Sequence, residues 1–174
     1  SLPITHLSAY SLIIEEGTKF FDTSSVKIDD EELSYEIFDY INTKGFHQYE
    51  ISNFAINKES ESKHNYGYWQ HKEYLGVGAG AVGYVNKQRQ YPLKGIEEYI
   101  ENPLFYDFED IDESDVKTEK ILLGLRCSNG IEISLFNEQE LEKIDDLIKY
   151  DKVYIEDNKV FNKNFLLSDE LALY

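Results

Sequence analysis

The sequence predicts a protein of mixed helices and strands, in the α/β (α+β) class. A strand, a helix and a second strand follow one another within residues 6–54. Glycines interrupt an apolar run at residues 75–85, and residues 114–161 contain two helices followed by a hairpin signal. A chain of 174 residues can bury one good core or two small ones.

The first predicted elements are a strand and an amphipathic helix. Residues 6–14 alternate loosely and suit a strand. Asp29, followed three positions later by Glu32, has the pattern of a capping box, and Gly45 is a natural helix stop. One face of the predicted helix is apolar and carries Leu33, Ile37, Phe38 and Ile41.

A second strand, at residues 46–54, completes one βαβ unit and predicts a parallel sheet. One unit cannot cover its own sheet edges, so we expect it to be the last part of a larger sheet or barrel. An exposed edge at residues 6–14 invites pairing between chains. We therefore expect a homo-oligomer or a rearranged N-terminal segment.

The glycine-rich segment from Gly76 to Ala81 leaves two interpretations open. It fails the G-x-G-x-x-G pattern of a dinucleotide loop, because its glycines alternate and no capped helix clearly follows. Alternating glycine fits a strand that has no side chains on one face. The close approach that this allows is either to another strand or to a cofactor.

Residues 102–174 predict a winged-helix-like module. The acidic stretch 107–115 reads as a connector, so the expected domains are residues 1–101 and 102–174. Ser114 begins one helix, residues 137–150 form a second, and Asp157-Asn158 is a hairpin turn signal. Duplex DNA is not the expected partner, since this part of an acidic chain is itself rich in Asp and Glu. We expect a module that packs or docks a partner protein.

The overall composition limits the function further. The net charge of −17 argues against nucleic acids and anionic membranes as partners. A single cysteine, Cys127, excludes an internal disulfide and suggests a reducing, cytoplasmic setting. The chain has no methionine and opens with Ser-Leu-Pro, so we expect a piece of a longer protein. No set of catalytic residues is evident, and none is assigned.

The most unusual segment is residues 64–69, with the sequence His-Asn-Tyr-Gly-Tyr-Trp. Imidazole beside large flat rings suits a planar, metal-bearing ligand such as a porphyrin. The same residues also suit a packed aromatic corner. The residues alone leave both interpretations open.

Several motifs together resemble the oxygen-independent coproporphyrinogen III oxidase-like radical-SAM family, over nearly the whole chain. They are the strand at residues 6–12 with Glu15-x-Gly17-Thr18, the run Tyr49-Glu50-Ile51-Ser52-Asn53-Phe54-Ala55, His-Asn-x-x-Tyr-Trp at 64–69, the glycine run from Tyr74 to Ala81, and residues 121–131. The His-Asn-x-x-Tyr-Trp motif points to the HemW branch, which is viewed as a haem chaperone. The alternative is the oxidase itself, which decarboxylates the propionates of a porphyrin precursor.

The resemblance implies a partial radical-SAM TIM-like barrel, of which this chain holds the last βα units, followed by a HemN-type C-terminal domain. It implies haem as the ligand, with His64 as a candidate iron ligand and Asn65, Tyr68 and Trp69 beside it. Respiratory enzymes are the implied haem acceptors. A [4Fe-4S] cluster and S-adenosylmethionine belong to the longer parent.

A weaker implication places an S-adenosylmethionine pocket at Tyr10, Leu12, Gly78, Gly80 and Ala81. The family's cluster-binding motif Cys-x-x-x-Cys-x-x-Cys is absent from this chain. By itself the chain is therefore expected to hold no cluster and to perform no radical chemistry.

Overall fold

A computed structural model of the protein describes residues 3–10, 14, 16–19, 21 and 31–174. The elements are β1 (His6–Ser8), α1 (Glu31–Thr43), β2 (His47–Gln48), β3 (Asn53–Ala55), α2 (Lys63–Trp69), β4 (Gly83–Val85), β5 (Gln88–Pro92), α3 (Ile96–Glu101), β6 (Tyr106–Asp110), α4 (Glu113–Gly124), β7 (Ile131–Glu132), α5 (Glu138–Lys149), β8 (Val153–Glu156), β9 (Lys159–Asn162) and α6 (Ser168–Ala172). They form two compact units, residues 1–62 and 63–174. No described helix is both long and apolar enough to cross a membrane. Helices and small sheets are mixed, as the predicted fold class requires.

The first unit contains a three-stranded sheet in the order β1-β3-β2. Both outer strands pair with β3 in antiparallel register. The prediction of paired parallel strands is therefore wrong, because β3 lies between the two strands that run parallel. Strand β1 is an edge strand, but pairing of two chains through it stays a prediction.

Residues 46–54 were expected to form one strand, and they form a hairpin instead. The carboxylate of Glu50 accepts a hydrogen bond from the amide of Ser52 (2.9 Å), and the amide of Tyr49 donates to the carbonyl of Asn53 (3.2 Å). The turn thus supplies a partner for the buried carboxylate of Glu50, and the hydroxyl of Ser8 in β1 donates to the buried side chain of Asn53. The predicted cap at Asp29 lies outside the described residues.

Helix α1 buries only part of its predicted apolar face. Ile41 is buried, and the ring of Phe38 meets the buried ring of Phe54 edge-on at 5.1 Å. Leu33 and Ile37 are exposed. The predicted stop at Gly45 is confirmed by its left-handed φ of 86°, and its amide donates to the carbonyl of Asn42 (3.0 Å).

The glycine-rich segment is a closed loop and not a strand. The amide and carbonyl of Tyr74 bond to those of Tyr84, both at 2.8 Å, and close residues 75–83 into a loop. A Cβ on Gly76 would lie 2.0 Å from the carbonyl oxygen of Ala81, so only glycine fits where the loop folds back. The close approach is thus made within the loop itself.

The acidic stretch 107–115 was expected to be a connector, and its first part is strand β6. This strand pairs with β5, which pairs in turn with β4. Helix α4 begins after Asp112, not at Ser114, with a capping box between Asp112 and Asp115. The sheet takes strands from both sides of residue 101, and the domain boundary there stays a prediction.

The end of the chain has the winged-helix-like arrangement of helices and hairpin. Sheet β7-β9-β8 packs with α4, α5 and α6 around one core of Leu125, Ile131, Ile144, Val153, Val160 and Leu171. The predicted turn is confirmed, since Asp157 and Asn158 both have left-handed φ, as a tight hairpin requires. The buried amide of Asn162 donates to the carbonyl of Leu125 (2.9 Å) and joins the hairpin to the end of α4.

Candidate functional site

The His-Asn-Tyr-Gly-Tyr-Trp segment forms helix α2, in the second unit. Residues four apart share a helix face, so His64 and Tyr68 lie on one face and Asn65 and Trp69 on the next. His64 and Tyr68 are exposed, whereas Asn65 and Trp69 are partly buried. The helix therefore divides the candidate haem residues into two pairs.

Aromatic rings continue from His64 into the interior of the second unit. The imidazole of His64 meets the ring of Tyr68 at 4.9 Å and 89°, and Tyr68 meets Tyr74 at 4.6 Å and 74°. Both are edge-to-face contacts, the favoured geometry of ring pairs. Tyr68 is therefore held between the exposed imidazole and a ring beneath it.

Helix α2 ends in a Schellman motif with a histidine where glycine is usual. The amide of His71 donates to the carbonyl of Tyr68 (2.9 Å), and that of Lys72 donates to Gly67 (3.0 Å). His71 has a φ of 54°, in the left-handed region that side chains other than glycine rarely adopt. The motif fixes the backbone of His71 at the end of α2.

The side chain of His71 belongs to an ionic cluster with Glu119 and Arg89. Its Nε2 lies 2.6 Å from Glu119 Oε2, and only 7% of the side chain is exposed. The guanidinium of Arg89 pairs with the other carboxylate oxygen. The cluster ties the end of α2 to α4 and β5.

The cluster shifts the pKa values of Glu119 and Arg89. Burial alone would raise the pKa of Glu119, but the hydrogen bonds from His71 and Arg89 outweigh burial, and the pKa is lowered. Burial alone would lower the pKa of Arg89, but its bond to Glu119 raises it. Glu119 and Arg89 are thus a stable ion pair at neutral pH. Burial also raises the pKa of Tyr84, whose ring meets His71 at 4.8 Å.

A cavity of about 190 Å³ lies beside this cluster. Its walls are aromatic and aliphatic side chains, with polar groups from the cluster and from the end of α2: Tyr68, His71, Lys72, Tyr74, Tyr84, Arg89, Glu119, Leu122 and Leu123. Tyr68 contributes to this cavity and also contacts His64. The exposed imidazole and the cavity therefore share one wall.

Trp69 lines a different cleft, of about 350 Å³. Lys120 and Lys159 line it as well. Lys159 pairs with Glu132 at 3.2 Å and donates to the carbonyl of Asn129. This cleft lies on the face of α2 that does not carry His64.

The residues of the predicted S-adenosylmethionine pocket are divided between the two units. Leu12 lies outside the described residues, and Tyr10, 71% exposed, belongs to the first unit. Gly78 and Gly80 have left-handed φ values of 119° and 69° in the closed loop of the second unit. The amide of Gly80 donates to Leu93 (2.9 Å) and that of Ala81 to Gly78 (3.2 Å). Both amides are used inside the protein, and the pocket stays a prediction.

The chain offers a single thiolate as a possible metal ligand. Its one cysteine, Cys127, is buried. Across the described ranges, no three His, Cys, Asp or Glu side chains are grouped as a metal site would need. A single histidine offered to an iron that is already held by a porphyrin does not need such a group.

Reasoning from the sequence missed the ionic cluster. Glu119 is 48 positions from His71 and 30 from Arg89, on different elements, so no local spacing joins them. Lys72 carried no signal at all.

No protein-family model matches the chain, but curated relatives do. The chain is 35% identical to "Heme chaperone HemW" of Bacillus subtilis over 84% of its own length and 42% of that protein. It is 30% identical to "Heme chaperone HemW" of Lactococcus lactis, over 97% of this chain and 52% of the relative. The chain thus spans about half or less of these relatives.

The structure resembles that of the coproporphyrinogen III oxidase HemN from Escherichia coli, described as a radical SAM enzyme. The TM-score is 0.59 at 13% identity, over 82% of this chain and 39% of the other. At that identity the likeness concerns the fold alone. The relatives show that the chain belongs to the HemW/HemN-type radical-SAM protein family, and its fold agrees with this.

Proposed function

We propose that the chain is part of a haem-binding protein that passes haem to acceptor proteins. In this proposal the face of α2 that carries His64 and Tyr68 takes part in holding the haem. Support comes from relatives named as haem chaperones. The observation that carries the site is the exposed imidazole of His64, set edge-on against Tyr68.

Comparison of the four histidines favours His64 as the iron ligand. His71 is hydrogen-bonded to Glu119, and Nε2 of His6 lies 2.8 Å from the hydroxyl of Tyr49. His47 is exposed, with Glu61 at 3.5 Å. The imidazole of His64 is exposed and has no hydrogen-bond or ion-pair partner among the residues described. An axial ligand requires an accessible ring nitrogen.

The exposure of His64 suits a protein that releases its haem. A fully enclosed site would hold the macrocycle by burying its whole apolar surface, which stabilises binding strongly. A ligand on an open helix face, with one aromatic ring beside it, buries only part of that surface. The geometry therefore favours transfer over permanent storage, with haem as cargo.

The proposal is tested by titrating haemin into the full chain and following the Soret band. The wild type is compared with His64→Ala and with His47→Ala, an exposed histidine of the other unit. We expect His64→Ala to weaken binding about tenfold or more, which corresponds to roughly 1.4 kcal/mol or more. His47→Ala should bind as the wild type does. Far-ultraviolet circular dichroism shows that each variant is folded.

Two results would count against the proposal. Equal affinity of the wild type and His64→Ala would remove the ligand role of His64. No saturable binding of haemin to the wild type would remove the haem-handling function itself.

A [4Fe-4S] cluster does not fit the residues of this chain. Such clusters are held by several cysteine thiolates, and the chain has one cysteine, which is buried. Oxidase chemistry, the alternative, would be carried by the longer parent, and decarboxylation of coproporphyrinogen by that parent would favour it over the chaperone function.

A further inference from the structure

The cavity beside Tyr68 carries a positive charge that its own residues do not neutralise. Glu119 and Arg89 form an ion pair, so their charges cancel. Lys72 also lines the cavity, with an exposed side chain. Its ammonium has no ion-pair partner in the part of the chain that the structure describes. In a chain of net charge −17, a surplus cation at a cavity runs against the general charge.

The backbone fixes Lys72 at this cavity. Its amide closes the Schellman motif on Gly67, and the preceding residue, His71, is anchored to Glu119. The stem of Lys72 therefore starts from a fixed point, although its ammonium is free to move. A charge on such an anchor is placed to meet a ligand that enters from solvent.

The cavity and the candidate haem face share the side chain of Tyr68. Tyr68 contacts the imidazole of His64 on one side and the ring of Tyr74, a cavity wall, on the other. The cavity is smaller than the 300 Å³ or more of usual ligand pockets. It has room for one edge of a tetrapyrrole and not for the whole macrocycle.

We propose that this cavity and Lys72 form a subsite for the carboxylate-bearing edge of the tetrapyrrole whose iron faces His64. The inference rests on the proposed function and extends it. The tyrosine and leucine walls receive part of the apolar ring, and the ammonium of Lys72 donates to a propionate carboxylate. Such charge-assisted bonds are about twice as strong as neutral ones.

The test compares haemin with haemin dimethyl ester, in which both carboxylates are blocked. Each is titrated into the wild type, Lys72→Gln and Lys120→Gln. Lys120 is the matched control because it is exposed, loses the same charge and lines the other cleft. We expect Lys72→Gln to weaken haemin binding about fivefold and to leave ester binding unchanged. Lys120→Gln should change neither.

The outcomes separate this inference from the function on which it rests. If haemin binds through His64 but Lys72→Gln leaves its affinity unchanged, the subsite is wrong and the ligand role stands. If Lys72→Gln weakens the binding of haemin and of its ester equally, Lys72 does not bind the carboxylate. If Lys120→Gln weakens haemin binding more than Lys72→Gln does, the carboxylate binds in the other cleft. Either result overturns the subsite. Absence of haemin binding in the wild type overturns both proposals.

Discussion

Replacing Glu119 by Gln removes one charge from the ionic cluster with almost no change of shape. The side chains of Glu119, Arg89 and His71 are 23%, 27% and 7% exposed. An exposed ion pair contributes at most about 1 kcal/mol, whereas breaking a fully buried one costs roughly 3–5 kcal/mol. The cluster lies between these limits, and the amide of Gln still accepts one hydrogen bond. We therefore expect Glu119→Gln to lower the free energy of unfolding by about 2 kcal/mol.

Urea unfolding followed by the fluorescence of Trp69, the one tryptophan of the chain, measures this change. In thermal unfolding, a change of this size in the second unit should lower the Tm by about 8 °C. Glu113→Gln is the control on the same helix, because Glu113 is 94% exposed and lies 3.5 Å from Lys87. Its effect should stay within about 0.5 kcal/mol.

The dependence of stability on acid pH tests the role of the Glu119 carboxylate independently. Burial alone would raise the pKa of Glu119, yet the bonds from His71 and Arg89 hold it below its ordinary value of 4.5. The stabilisation from Glu119 is thus complete above that value and is lost as pH falls through the lower, folded-state pKa. Glu119→Gln should lack this part of the acid dependence. Equal losses of stability in Glu119→Gln and Glu113→Gln, or an unchanged acid slope in Glu119→Gln, would refute the reasoning.

Two further substitutions test the loop and the core by urea unfolding. Gly76→Ala should lower the free energy of unfolding by about 2 kcal/mol, because its Cβ would overlap a backbone carbonyl. Gly67→Ala should raise the free energy of unfolding by roughly 0.5–1 kcal/mol, because alanine favours a helix and a Cβ at this position of α2 meets open space. Similar effects of the two changes would contradict the closed loop. Ile144→Ala, in the core of the final module, should cost about 2–4 kcal/mol, and Ile148→Ala, 37% exposed, should cost less than half as much. Equal costs would show that Ile144 does not occupy a packed core.

The sequence predicted those elements whose signals are local. Asn137 caps α5 with Glu140 in a capping box, and Asp157-Asn158 turns the last hairpin. Each of these depends on side chains within four positions of one another. Their conformations follow from local hydrogen bonds and backbone preferences.

Strand β6 was missed because its residues disfavour strands by themselves. Asp and Glu are depleted in strands, yet Tyr106–Asp110 pairs along all five positions with β5. Polar partners on β5 accommodate the acids, for instance Gln88, which donates to Asp110 at 2.7 Å, and Tyr91, which donates to Glu109 at 2.6 Å. These partners become visible only when the two strands are placed side by side.

The candidate site likewise combines features with a local sequence signal and features that depend on tertiary contacts. Residues 64–69 drew attention by composition, and the family resemblance supplied a role for His64. Nothing in the local pattern showed that α2 would separate Tyr68 from Trp69 or that the ring of Tyr68 would wall a cavity. Those facts depend on the helical period and on tertiary contacts with Tyr74.

The central position of β3 has a consequence for the order of folding in the first unit. Strands β2 and β3 are joined by the short turn at residues 49–52, whereas Ser8 of β1 and its partner Asn53 are 45 positions apart. Closing the longer loop costs about 2 kcal/mol more chain entropy than closing the turn. We therefore expect the hairpin to form before β1 pairs with β3. In the native state we expect β1 to detach first. The β2–β3 pair is then the more stable part of this sheet, and the β1–β3 pair is the less stable part.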